Sequence, residues 1–316
     1  MVKREAHRYN RSVSRPLPTG LAAMLFLLHV GLEGSGQPPV RTEQRFRSGV
    51  DVIAVTATVR DANRALVAGL TADDFEVFED GVRQPITQFS AGRVPIGLGL
   101  LLDVSDSMRG RRIVEARAAV ERFLIDLLDP QDEFFVVAFN HEPRVIAHWM
   151  RGPDDLGPRL DAVRPWGGTA LYDAVLHALP MVEKRTRQRA ALVVISDGAD
   201  TASDATLRDV RAALTRSDAF VYAIAVDPPG VRASATRVNP ATLRGITDDS
   251  GGRTALVHDT TELGAATAQI AEELNRQYVV GYNAPRAPDG QYHTVRLRVK
   301  RPGHDVQARR GYVARR

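Results

Sequence analysis

Cysteine is absent from all 316 residues. That excludes disulfides, zinc–thiolate sites and thiol nucleophiles, and a lipid anchor on cysteine as well. No G-x-x-x-x-G-K-[ST] loop occurs, so nucleotide hydrolysis has no phosphate cradle. His141, His148 and His177 have no H-x-x-x-H spacing and read as surface or edge histidines rather than zinc ligands. Long apolar runs are scarce. The one candidate, Leu21–Leu32, is shorter than the roughly 20 residues a membrane span needs.

What is present is ordinary globular material. A composition of 44% hydrophobic and 25% charged residues supports a full core and more than one domain. The net charge of +4 and a pI of about 9.6 point at first toward an anionic partner. Much of the excess lies in residues 1–36, where Lys3, Arg4, Arg8, Arg11 and Arg15 face Glu5 and Glu33. Without them Lys+Arg falls from 42 to 37 and Asp+Glu from 38 to 36, a balance of +1. No nucleic-acid partner is expected.

The same 36 residues have the layout of an export signal: basic Met1–Arg15, apolar Leu21–Leu32, then Gly34, Ser35 and Gly36. A secreted, periplasmic or cell-envelope protein of bacterial type is expected. The exit lacks a clean A-x-A, so an uncleaved N-terminal anchor stays open, and it is the only membrane contact expected. Residues 37–49 read as a flexible linker. Residues 50–93 hold β signals: alternating Val50–Val59, and two strands in Phe75–Phe89 around the Glu79-Asp80-Gly81 turn. Asp73 and Asp74 read as turn or capping residues.

From residue 94 to 277 strands alternate with helices. Strands are read at Ile96–Leu102, Phe134–Phe139, Val145–Met150, Ala190–Ile195, Ala219–Val226 and Arg253–Val257. Helices are read at Arg111–Leu128, Asp154–Val163, Thr169–Arg185, Ala205–Thr215, Pro240–Asp249 and Thr261–Gln277. This alternation implies an α/β fold with a doubly wound, mostly parallel sheet. Residues 278–316 return to β character at Tyr278–Tyr282, Tyr292–Lys300 and Val306–Val313. Neither end has enough strands for a sheet of its own. The two ends are therefore expected to pair into one small β-sandwich, with the α/β domain inserted between them.

The stretch that organises the chain is Val94–Gly110. An apolar run ends in Asp103, with Ser105 and Ser107 following as D-x-S-x-S. A second loop, Trp166-Gly167-Gly168-Thr169, enters a helix, and a third, Ser196-Asp197-Gly198, closes the apolar run AALVVI, which puts Asp197 at the same strand-end position as Asp103. Taken singly, each is also what a helix cap or turn demands. Together, loops at strand ends and helix starts of one sheet open on the same edge, beyond the carboxyl ends of the strands. They bring oxygen donors alone, three hydroxyls and two carboxylates. That set suits a hard, six-coordinate cation that keeps room for water or a partner. Arg109, Arg111 and Arg112 follow the first loop, either as solvated helix-start charges or as a ring selecting acidic partners. Trp149 and Trp166 read as packing residues, with Trp166 placed to line the rim.

The order D-x-S-x-S (Asp103, Ser105, Ser107), G-G-T (Gly167, Gly168, Thr169), S-D-G (Asp197) resembles the von Willebrand factor type A domain, over about Pro95–Gln277. The flanks LTADDFEVFEDGVRQPI and YVVGY…RRGYVA are similar to secreted bacterial "VWFA-related" proteins. The resemblance implies a metal ion-dependent adhesion site holding magnesium, with manganese or calcium as substitutes. It implies direct ligation by Ser105 and Ser107, a switchable Thr169, and Asp103 and Asp197 acting mainly through water. The implied partner is a protein whose exposed Asp or Glu completes the metal shell, and the implied role is binding or adhesion rather than catalysis. A hydrolase using the same ion to activate water is the alternative, but no general base stands beside the proposed ligands. An aspartyl phosphatase of D-x-D type is disfavoured because position 105 is serine.

Overall fold

Burial on both faces explains the strand at the centre of the molecule. In the computed structural model, which describes residues 52–152, 155–227, 239–286 and 288–314, all eight residues of Ile96–Asp103 are buried. An unbroken apolar run is what a parallel strand covered by helices on both sides requires. The expected leader (1–36) and linker (37–49) lie outside the described residues.

In chain order the first four strands are β1 (Val52–Arg60), β2 (Phe75–Glu79), β3 (Val82–Gln84) and β4 (Ile86–Ser90). The α/β part follows as β5 (Ile96–Asp103), α1 (Arg111–Leu127), β6 (Glu133–Phe139), β7 (Pro143–Met150), α2 (Leu156–Ala162), α3 (Leu171–Glu183) and β8 (Arg189–Ser196). It continues as α4 (Leu207–Leu214), β9 (Phe220–Val226), α5 (Pro240–Thr247), β10 (Thr254–Val257) and α6 (Thr260–Asn275). Strands β11 (Tyr278–Asn283), β12 (Tyr292–Val299), β13 (Asp305–Ala308) and β14 (Gly311–Val313) complete the described chain.

The six-stranded sheet runs β10-β9-β8-β5-β6-β7, parallel except for the antiparallel edge strand β7. One core joins this sheet to α1, α2 and α6, and a second joins its other face to α3, α4 and α5. Helix α1 turns Ile113, Ala116, Val120 and Phe123 inward at the spacing of one helical face. The fold is thus the expected doubly wound α/β arrangement.

The two ends of the chain share two four-stranded sheets, β13-β1-β11-β4 and β14-β12-β2-β3. N-terminal β1 pairs with C-terminal β11 from Val52↔Asn283 to Ala57↔Tyr278, and β2 pairs with β12. Val55, Val77, Tyr282 and Leu297 belong to one core between them. Two details differ from the sequence reading. Phe75–Phe89 makes three strands, because Pro85 breaks the run and sends β4 to the other sheet. Val306–Val313 makes two, because the chain crosses between sheets at Arg309-Arg310. Among the described residues no helix is long and apolar enough to cross a membrane.

Candidate functional site

Backbone hydrogen bonds tie three loops into one rim at the carboxyl ends of β5, β6 and β8. Asp106 N donates to Gly167 O at 2.9 Å, and Trp166 N donates to Val104 O at 3.0 Å, which joins the first loop to the second. Thr201 N and Ala202 N donate to Thr169 O at 2.8 and 3.0 Å, which joins the third to the second. Val104 N on Phe139 O (2.8 Å) and Ala170 N on Asn140 O (2.5 Å) fasten the assembly to the end of β6. Asp103, Ser105, Ser107, Thr169 and Asp197 all stand on these loops or at the strand ends that launch them.

Their side chains are mostly withdrawn from solvent. Asp103, Ser105, Thr169 and Asp197 are buried and Ser107 is half-buried. Ser105 Oγ and Ser107 Oγ lie 3.0 Å apart. Asp103 accepts Ser105 N–H on Oδ1 at 2.9 Å and Ser196 Oγ–H on Oδ2 at 2.6 Å. Asp197 Oδ1 accepts Ala199 N–H at 3.1 Å. Both aspartates therefore make local Asx turns, as the plain reading of each loop allows, and both also keep acceptor capacity at the rim. Burial pushes the Asp103 carboxyl up to about 7, against the pull of the Ser105 and Ser196 hydroxyls, and the charge of Asp197 pushes the same way.

Two sequence expectations change here. Thr169 does not start or cap a helix: α3 begins at Leu171, with Ala170 as an N-cap that offers no side chain. Ala170 N is held outside the helix by Asn140 O, and the capping oxygens come from the third loop instead. Asp200 Oδ1 accepts from Leu171 N (2.9 Å) and Tyr172 N (3.2 Å), and Ser203 Oγ accepts from Tyr172 N and Asp173 N. The second change is register. Leu102 pairs with Ile195, so Ser196, not Asp197, stands level with Asp103. Asp197 lies one residue further out.

The three arginines after the first loop part ways. Arg109 and Arg111 are exposed and pair with Asp106 (2.8 Å) and Glu115 (2.6 Å). Arg112, one helical step of about 100° further on, is 3% exposed. Its Nη1 donates to Ser107 O at 2.9 Å and faces Asp197 Oδ2 at 3.4 Å, and its Nη2 lies 3.8 Å from Asp227 at the end of β9. Trp166 is 53% exposed beside the glycine loop, its ring 4.4 Å from that of His141. Trp149 packs edge-on against Phe135. His148 and His177 are exposed.

Sequence reasoning passed over Ser196, Asp200, Ser203 and Asp227. Ser196 was within reach, since it precedes Asp197 in the same motif. The capping roles of Asp200 and Ser203 had no signal, because the helix they cap begins about 30 residues earlier in the chain.

Residues 98–199 match the family model described as "von Willebrand factor type A domain". Inter-alpha-trypsin inhibitor heavy chain H4 of Bos taurus is 25% identical over 127 residues, covering 36% of this chain and 14% of that protein. The "Uncharacterized protein sll0103" of Synechocystis is 26% identical over 115 residues, covering 35% of this chain and 27% of that one. The chain thus spans well under a third of the length of these relatives. Among solved structures, "von Willebrand factor type A from Catenulispora acidiphila" superposes with a TM-score of 0.50 at 14% identity, covering 85% of this chain and 75% of that one.

Proposed function

Since the chain carries a von Willebrand factor type A domain, we propose that the rim built by its three loops binds a divalent cation, magnesium first, and through it an acidic group of a partner protein. Asp103, Ser105, Ser107, Thr169 and Asp197 would hold the ion. The supporting observation is the set of cross-loop hydrogen bonds that puts five oxygen-bearing residues from three separate segments on one rim. The donor chemistry fits a hard cation, with oxygen donors and no soft ligand among the five. Arg112 lies 3.4 Å from Asp197, while among the described residues no cation pairs with the buried Asp103, so an ion at the rim would meet a carboxyl that no fixed charge compensates. When bound, the ion supplies Lewis acidity toward an incoming carboxylate.

The chain's own groups prepare that encounter. Ser196 and Ser105 N–H orient Asp103, Arg112 orients Asp197, and the neutral hydroxyls of Ser105, Ser107 and Thr169 leave the ion's charge largely uncompensated. Trp166, exposed at the edge, offers an aromatic contact to whatever docks. We place this binding outside the cytoplasmic membrane, on the basic-then-apolar layout of residues 1–36.

The test is direct titration of the full chain with Mn²⁺, read by electron paramagnetic resonance, with Mg²⁺ as competitor. One saturable site that is lost in Ser107→Ala and in Asp197→Ala supports the reading. Retention of envelope proteins on the immobilised chain should require Mg²⁺ and fail in the same variants. Undiminished retention in EDTA would overturn the metal-dependent role.

A further inference from the structure

At the opposite end of the six-stranded sheet, where β8 and β9 begin, a cavity of about 490 Å³ opens against the start of β1 and the end of β14. Its lining is rich in cations: Arg185, Arg216, Arg286 and Arg309 stand against only Glu183 and Asp218. Val52, Ile53 and Val313 give it an apolar side. The size falls in the range of sites that hold small ligands.

Arg309 is the informative residue. Strand β13 accompanies β1 only as far as Ala57, and beyond that point the Arg309 guanidinium donates to Ala54 O at 2.8 Å. Its Cζ lies over the Tyr312 ring, 5.6 Å from the centroid. Its Nε is buried with no hydrogen-bond partner, and no described carboxylate forms an ion pair with it. The nearby Asp218 is committed to Arg185 at 2.6 Å, and Arg286 leans toward Asp80 at 3.8 Å. Burial lowers the Arg309 pKa, against the opposing field of Asp218. A half-buried guanidinium whose opposing carboxylate, Asp218, is already shared with Arg185 can be further satisfied by an anion that enters the cavity it lines.

We propose that this cavity binds an organic monocarboxylate with a short apolar body, its carboxylate pairing with Arg309 and its apolar part lying against Val52, Ile53 and Val313. A multiply charged phosphate is a poorer match, because Glu183 and Asp218 face the same space and repel added negative charge. The site is independent of the cation rim.

The probe is octanoate, titrated into the full chain by isothermal calorimetry beside octan-1-ol and octyl phosphate. Octanoate should bind saturably, octan-1-ol should not, and octyl phosphate should bind more weakly. Arg309→Gln should weaken octanoate about tenfold, the loss of a charge-assisted hydrogen bond. Asp218→Asn removes a repelling charge and releases Arg185, so it should tighten binding. This opposite sign keeps the test decisive if Arg309→Gln folds poorly by circular dichroism. Equal binding of octanol, stronger binding of the phosphate, or no tightening in Asp218→Asn would each overturn the proposal.

Discussion

Ser196 donates to Asp103 across adjacent strands, Oγ to Oδ2 at 2.6 Å, while accepting Gly198 N–H at 2.9 Å. One hydroxyl thus aligns the end of β5 with the turn that carries Asp197. It orients a proposed ligand without being one. Groups of that kind typically change metal affinity by about 10–100-fold. Ser196→Ala is therefore expected to weaken Mn²⁺ binding by about tenfold while leaving a single site. A titration curve identical to that of the parent protein would show that Asp103 needs no such support.

Arg112 is buried between Asp197 and Asp227. Removing one partner of a buried pair leaves the other charge uncompensated, at a cost of about 3 kcal/mol or more. Arg112→Gln should lower the melting temperature in EDTA, and it should enlarge the rise that Mg²⁺ produces, since the rim then holds more net negative charge. Differential scanning fluorimetry with and without Mg²⁺ measures both. A Mg²⁺-dependent rise no larger than that of the parent would mean that Arg112 and the cation do not share a field.

His293, 5% exposed on β12, contacts Asp80 through Nδ1 (2.8 Å) and Asp289 through Nε2 (3.2 Å). These bonds, that to Asp80 first, raise its pKa above 6.5; in return His293 holds the Asp80 carboxyl below 3.8, and it adds to the Gln291 N–H in lowering that of Asp289. The histidine's contribution is complete below its unfolded value and fades as pH rises through its raised folded value. The carboxylates' contribution is complete above their unfolded value and fades as pH falls through their depressed ones. The gap in melting temperature between the parent and His293→Gln should therefore be widest between 3.8 and 6.5. It should narrow on either side, and a gap that is flat with pH would show that the histidine is not charged in the clamp.

Gly99 sits in the middle of β5, where a Cβ would lie 2.4 Å from Leu192 Cδ2 and 2.5 Å from Phe135 Cζ. Gly99→Ala should cost about 1–3 kcal/mol, the usual penalty for overpacking a filled core. Urea denaturation measures it. An unchanged midpoint would show that Leu192 and Phe135 can yield without strain.

Much of this protein was legible from the chain alone. The unbroken apolar runs ending in Asp103 and near Asp197, alternating with helical stretches, specify a two-sided parallel sheet, because residue order dictates hydrophobic period and strand-end position. The same order announces the three loops and their oxygen donors. The tertiary structure decided matters that depend on partners distant in sequence. Asp200 caps a helix whose first turn lies about 30 residues earlier, which frees Thr169 from that task. Strand pairing sets Ser196 opposite Asp103. Helical rotation buries Arg112 and leaves Arg111 in water, and the crossing at Arg309 brings an arginine to a cavity between sheets. Local periodicity says which face a residue occupies. Only packing says which neighbours meet it there.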